Sequence, residues 1–181
     1  AIVLAACAPQ AARLHGTELG GKEAPDFTLT DGQSGASITL SSFRGRVVAM
    51  AFLYTRCPDV CPLTAGKLRA AQKALGADAE GVVLLAVSVD PNGDTPSAVR
   101  AFSAAHDLGT SWHYLIGPRA RLQSVWGLYG VGAFGAPTGP QVDHNDAIFV
   151  IDAKGREREI VHSDIAVEDL VADLRALLKE R

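Results

Sequence analysis

The pattern of hydrophobic and polar positions along the chain alternates between strand-like and helix-like segments. Two nearly continuous apolar runs, residues 47–54 and 82–89, predict strands that are buried on both faces of a sheet. Helical spacing of apolar residues predicts a helix after each run, at 62–75 and from Pro96, which follows Thr95 as N-cap. This alternation is typical of an α/β fold.

Shorter elements complete the predicted domain, residues 22–181. They are a hairpin at 26–29 and 37–40, a strand at 112–116, a helix at 118–126, a hairpin at 147–151 and 157–161, and a closing helix at 167–178. Residues 130–141 are rich in Gly and Pro, which predicts a long loop or a hairpin excursion. The whole is predicted to be one α/β sandwich with a mixed central sheet and an N-terminal β-hairpin.

Length and composition restrict the class of protein. The chain has 181 residues, of which 48% are hydrophobic, so it can form a core and does not have the composition of a disordered chain. Its 17 basic and 20 acidic residues are interspersed, which argues against a nucleic-acid partner. No run of about 18 apolar residues occurs, so no complete membrane span is predicted.

The first residues have the character of a processing signal. Residues 1–6 are apolar and end in small side chains, like the end of a signal-peptide hydrophobic region. Leu-Ala-Ala-Cys at residues 4–7 resembles the bacterial lipobox, which predicts a lipid anchor on Cys7 and an extracytoplasmic location, periplasmic or on the outer face of the cytoplasmic membrane. The alternative is a short apolar arm with an incidental cysteine. Residues 1–21 are predicted to be this truncated signal followed by a flexible tether.

Cys57 and Cys61 are the residues with the clearest chemical potential. They follow the strand at 47–54, at the carboxyl end where α/β sheets usually carry their sites. Spacing of four places both sulfurs on one face of a helical turn, and the N–H groups of a helix start lower a thiol pKa. A disulfide closing so short a loop adds only about 2 kcal/mol, and structural zinc needs four ligands. The pair predicts metal binding, redox chemistry or both, and soft thiolates favour Cu(I).

A third metal ligand would come from the histidines. The candidates are His15, His106, His113, His144 and His162. His144 follows the Gly/Pro-rich loop and immediately precedes the strand predicted at 147–151, whereas the others have ordinary structural explanations at a helix end, in the tether or beside strands. Position alone favours His144 only modestly.

Three segments, in order, resemble the Sco/SenC family of copper-binding assembly proteins. They are residues 52–62 with the signature Cys-Pro-x-x-Cys-Pro, residues 88–96 from Ser88 to Pro96, and residues 142–152 with Val-Asp-His at their start. The resemblance covers about residues 21–178. It implies a thioredoxin-like three-layer sandwich.

The resemblance also implies the site and its function. Carried over by position, Cys57, Cys61 and His144 are the ligands of copper, as Cu(I) or Cu(II), and the two cysteines also form a redox dithiol. Asp90 and Asp143 are implied as supporting residues, either of which could orient the imidazole. Such a metallochaperone delivers copper to the binuclear site of cytochrome c oxidase subunit II, can reduce target cysteines, and depends on an upstream copper donor or thiol reductase. The alternative is an extracytoplasmic thiol-disulfide oxidoreductase without copper delivery.

Two other classes with this fold fit less well. The start of the domain also resembles peroxiredoxins, which need a Pro and a Thr at set positions before their reactive cysteine. In this chain Thr55 lies one residue too close to Cys57, and the position seven residues before Cys57, where Pro is needed, is Met50. A thioredoxin-type reductase has two residues between its cysteines, whereas three separate Cys57 and Cys61. These departures favour copper delivery.

Overall fold

Eight strands and four α-helices make up the part of the chain that the computed structural model describes, residues 13–108, 112–132 and 146–180. The strands are β1 (Thr17–Glu18), β2 (Thr28–Asp31), β3 (Ser37–Thr39), β4 (Val47–Leu53), β5 (Val82–Ser88), β6 (Trp112–Ile116), β7 (Ile148–Ile151) and β8 (Glu157–Val161). The helices are α1 (Val60–Leu75), α2 (Pro96–Ala105), α3 (Arg119–Leu128) and α4 (Val167–Leu178), with 3₁₀ turns at Leu40–Phe43 and Gly76–Gly81.

The centre of the sheet is the parallel pair β4 and β5. All seven residues of each strand are buried. Because successive side chains point to opposite faces, this burial means that both faces are covered. Helices α1 and α4 pack against each other and contact β4 on one face. The predicted layered α/β sandwich is therefore confirmed, and so are the two apolar runs that form its core.

The sheet is mixed, as predicted. Its order is β1-β8-β7-β4-β5-β6-β2-β3, with parallel pairing only for β4 with β5 and β5 with β6. The predicted N-terminal hairpin is β2 and β3, and it joins the sheet where Thr30 lies opposite Ile116 of β6. None of the helices in the described ranges is both long and apolar enough to cross a bilayer.

The start of α1 differs from the prediction. The helix begins at Val60, not at Pro62, so Cys61 lies within its first turn. Pro62 is tolerated there because the first N–H groups of a helix have no partner inside the helix. The helix ends as predicted at Leu75, and the next residue, Gly76, has a φ of 59°, in the left-handed region.

The predicted tether is wrong for residues 13–21. Leu14 is buried, and Thr17 and Glu18 form β1, which pairs antiparallel with Ile160 and Glu159 of β8. Sequence periodicity could not show this, because a two-residue strand with exposed side chains has no pattern. The predicted lipidation site Cys7 and the rest of residues 1–12 lie outside the described residues, as do residues 133–141 of the predicted loop.

Candidate metal centre and redox dithiol

The two cysteines lie at the junction of β4 and α1. Cys57 occupies the turn after the strand, where its backbone N–H donates to the carbonyl of Tyr54 over 3.2 Å. Cys61 lies one helical turn later, and its backbone N–H donates to the sulfur of Cys57 over 3.3 Å. Cys57 is half-buried, whereas Cys61 is fully buried, and the two do not form a disulfide. The predicted pair is thus brought together at the carboxyl end of a central strand.

The two thiols have opposite pKa shifts. Burial alone would raise the pKa of Cys57, but hydrogen bonds outweigh it, from the Cys61 thiol, the backbone N–H groups of Asp59 and Cys61, and the Tyr54 hydroxyl. The pKa of Cys57 therefore lies below its ordinary value. Burial raises the pKa of Cys61 far above its ordinary value, and its contact with Cys57 adds to the shift. Cys57 is therefore the more accessible of the two thiols and loses its proton before Cys61 does.

Asp94 fixes the segment that leads into Cys57. One of its carboxylate oxygens accepts from the backbone N–H of Thr55 over 2.8 Å and from the Thr55 hydroxyl over 2.7 Å. The other accepts from the hydroxyls of Ser88 over 2.6 Å and Tyr114 over 3.1 Å. Burial raises the pKa of the Asp94 carboxyl, although the four hydrogen bonds that it accepts act to lower it. The sequence pattern assigned no role to Asp94. The only signal was its position between a predicted buried strand and the predicted N-cap Thr95.

Asp90, a predicted supporting residue, pairs with the neighbour of Cys57. The guanidinium of Arg56 donates to one Asp90 carboxylate oxygen, over 2.6 Å from Nη2 and 3.2 Å from Nε. The other Asp90 oxygen accepts from the backbone N–H groups of Asn92 and Gly93. A Cβ on Gly93 would lie only 2.2 Å from the Asp90 carboxylate and 2.5 Å from Arg56 Nε, so a side chain there would displace this ion pair. Asp90 thus supports the loop at Arg56, and its role toward a metal stays a prediction.

His144 and Asp143 lie outside the described residues. The four other histidines have structural partners: His15 bonds Asp173, His113 bonds Asp31, His162 bonds Asp146, and His106 caps α2 against Phe102. Within residues 13–108, 112–132 and 146–180 no third acidic, histidine or cysteine side chain joins a group that could hold a metal ion. The described part of the site offers two thiols, a residue type that suits a soft metal such as Cu(I).

A dithiol at a strand–helix junction of a mixed, doubly covered sheet defines a thioredoxin-like dithiol protein. The family model SCO1/SenC matches residues 16–179, nearly the whole of the described chain. The chain therefore belongs to the SCO1/SenC family, as the three sequence segments indicated.

Similar proteins support this assignment. The chain is 26% identical to the SCO1 protein homolog of Bacillus subtilis over 162 residues, which are 85% of this chain and 82% of that protein. It superimposes on ScoI of Bradyrhizobium japonicum, solved with copper bound, with a TM-score of 0.77 and 31% identity, over 86% of this chain and 99% of the other. It superimposes on apo Sco1 of Thermus thermophilus with a TM-score of 0.79 and 33% identity, over 92% of this chain and 98% of the other. These neighbours confirm the predicted fold.

Proposed function

We propose that this protein is a copper chaperone that binds one copper ion through Cys57, Cys61 and His144. The observation that carries the proposal is the pair of reduced cysteines at the junction of β4 and α1 in a chain of the SCO1/SenC family. The copper-bound structure of ScoI, a 31% identical relative, supports copper as the metal. Two thiolates and one imidazole form a soft, three-coordinate set suited to Cu(I), and Cu(II) is the other state that we expect it to hold.

The acceptor that we propose is the binuclear copper site of cytochrome c oxidase subunit II, because Sco-family proteins act in the assembly of that oxidase. Cys57 is half-buried and Cys61 fully buried, so an incoming acceptor ligand reaches the metal from the Cys57 side. Loading requires the deprotonation of Cys61, and the proton leaves to solvent or to the donor protein. An upstream copper donor or thiol reductase is the remaining partner.

Thiol-disulfide exchange is the second candidate function, and the asymmetry of the two thiols favours it. The Cys57 thiolate attacks one sulfur of a target disulfide, forms a mixed disulfide and releases the first target thiolate. Cys61 then loses its proton and attacks the Cys57 sulfur, which releases the second target thiolate and leaves a Cys57–Cys61 disulfide. Two electrons pass to the target, and an upstream thiol reductase restores the dithiol. This activity could prepare the target cysteines for copper or stand alone.

The proposed location is extracytoplasmic, with attachment to the membrane through a lipid on Cys7. A multiply acylated N-terminus binds a bilayer durably, because each buried CH₂ contributes about 0.8 kcal/mol. No nucleic-acid partner is proposed, since the charges are interspersed over a chain of net charge −3.

An assembly assay separates the two candidate functions. Cells lacking the native protein are supplied with wild type, the double variant Cys57→Ser/Cys61→Ser, His144→Ala, or the control His106→Ala, which changes a histidine at the end of α2. Oxidase activity and the copper content of subunit II are then measured. Copper delivery requires that the double variant and His144→Ala both fail while the control succeeds. If His144→Ala assembles a normal oxidase, the reductase function takes the place of copper delivery.

A further inference from the structure

Two buried carboxyl groups face each other far from the dithiol. Glu159 on β8 is 0% exposed and Asp173 on α4 is 1% exposed. Glu159 Oε2 accepts from the backbone N–H of Gly16 over 2.8 Å, but no described residue donates to the buried Oε1. Two adjacent buried carboxylates repel each other strongly, and one of them is expected to hold a proton. When Glu159 is protonated, its O–H can donate a hydrogen bond to the Asp173 carboxylate beside it.

The N-terminal segment closes over this pair. The backbone N–H of His15 donates to Asp173 Oδ2 over 3.1 Å, and His15 Nδ1 lies 2.7 Å from Asp173 Oδ1. The buried side chain of Leu14 anchors the segment on one side. Gly16 permits the close approach, because a Cβ there would lie 2.5 Å from the carbonyl oxygen of Ile160 and 2.6 Å from Glu159 Oε2. Residues 14–18 are therefore held by carboxyl groups as well as by strand pairing.

We infer that His15, Glu159 and Asp173 form a proton-dependent clasp that holds residues 14–18 on the domain and releases them as the pH rises above neutrality. The inference is independent of the copper site. Release would detach five residues from the domain, which span about 17 Å when extended. The clasp thus sets the distance between the domain and whatever precedes it.

Asp173 raises the pKa of Glu159, whereas the backbone N–H of Gly16 and the charge of His15 lower it. Asp173 and Asp169 face the cluster from α4, His15 from the N-terminal segment, and Glu18 of β1 lies opposite Glu159 in the strand register. Burial, followed by the charge of Asp173, raises the pKa of Glu159 to about 7. The hydrogen bond to Asp173 raises the pKa of His15.

Both pKa shifts predict the same pH dependence. Docking pairs His15 with Asp173, which raises the pKa of His15, and it covers Glu159, whose burial outweighs the opposing Gly16 hydrogen bond. We therefore expect docking to be strongest when Glu159 and His15 are protonated. It weakens as the pH rises through their docked pKa values. Each unit by which docking raises a pKa changes the docking equilibrium by up to a factor of ten. Protection of the segment should therefore fall by about tenfold or more between pH 6 and pH 8.

Nuclear magnetic resonance of the labelled, copper-free full chain tests the clasp. The carboxyl ¹³C shift of Glu159 gives its titration midpoint, which we expect within about one unit of 7. Hydrogen exchange of the Gly16 amide is measured as a ratio to that of Ala49 in the central strand β4, which cancels the intrinsic pH dependence of exchange. We expect this ratio to rise about tenfold or more from pH 6 to pH 8.

The variant Glu159→Gln imitates the protonated acid, since its amide can accept from Gly16 and donate to Asp173. At pH 8 we expect it to protect Gly16 about tenfold better than wild type does. A Glu159 midpoint near the usual value of 4.5, or a constant exchange ratio in wild type, would overturn the inference. The wild-type titration decides the question alone if the variant does not fold.

Discussion

The backbone N–H of Cys61 points at the sulfur of Cys57 over 3.3 Å, while the Cys61 side chain is fully buried. One thiol is thus stabilised as a thiolate by the start of α1, and the other is held as a thiol by the core beneath it. A copper site needs both sulfurs deprotonated, and thiol exchange needs one attacking and one resolving sulfur. The same geometry suits both of the proposed reactions.

We expect alkylation to distinguish the two cysteines. Limiting iodoacetamide at pH 7 should label Cys57 at least about tenfold faster than Cys61, because the pKa of Cys57 is lowered and Cys61 is buried. Because the pKa of Cys57 is lowered, the midpoint of its labelling rate against pH should lie below the usual thiol pKa of about 8.5. Peptide mass spectrometry across the pH range measures this.

The matched control is Cys61→Ala, which removes a hydrogen bond to Cys57. It should raise the pKa of Cys57 and slow its alkylation at pH 7. Equal labelling of both cysteines in wild type would show that the asymmetry is absent.

Oxidation of the pair should prevent copper binding, since a disulfide sulfur offers no thiolate to the metal. Protein oxidised to the Cys57–Cys61 disulfide should bind no Cu(I) until it is reduced, after which it should bind one equivalent. Copper content after gel filtration measures this, with reduced protein as the control. If the oxidised and reduced proteins bound equal amounts of Cu(I), the cysteines would not be ligands of the metal.

Most of the fold could be predicted because its centre is apolar without interruption. Residues 47–54 and 82–89 predicted β4 and β5, and Thr95 with Pro96 predicted the start of α2, where Thr95 indeed accepts from Ala98. Strand β1 could not be predicted, because its two residues are held by backbone pairing and not by a side-chain pattern.

The site could be predicted only in part. The sequence was sufficient to place Cys57 and Cys61 at the junction of a strand and a helix, but the role of Asp94 depends on contacts from three separate segments. Thr55 precedes α1, Ser88 ends β5 and Tyr114 lies in β6, and no local pattern links them.

Removing the Asp94 carboxylate should destabilise the whole domain. Asp94→Ala leaves the Thr55 N–H and three hydroxyl groups without their acceptor, and we expect a loss of about 3 kcal/mol in the free energy of unfolding. Urea unfolding of the copper-free protein measures this. Asp164→Ala, which changes an exposed carboxylate, should cost less than about 0.5 kcal/mol. Equal stability of the two variants would mean that the Asp94 network contributes little.

A lipid on Cys7 should keep the protein on the membrane. In its source cells the full-length protein should fractionate with membranes, and Cys7→Ala should move it to the extracytoplasmic fluid or mislocalise it. Immunoblots of the fractions measure this, with Cys57→Ala as a control that changes a different cysteine. Recovery of wild type only in the extracytoplasmic fluid would rule out the anchor.

The copper stoichiometry of the reduced protein, determined against a competing Cu(I) chelator, tests the central claim most directly. The measurement compares wild type, Cys57→Ser/Cys61→Ser and His144→Ala, all in a Cys7→Ala background. We expect one tightly held copper ion in wild type, none in the double serine variant, and affinity lowered by about tenfold or more in His144→Ala. Stoichiometric Cu(I) retained by the double serine variant would contradict the assignment of Cys57 and Cys61 as ligands.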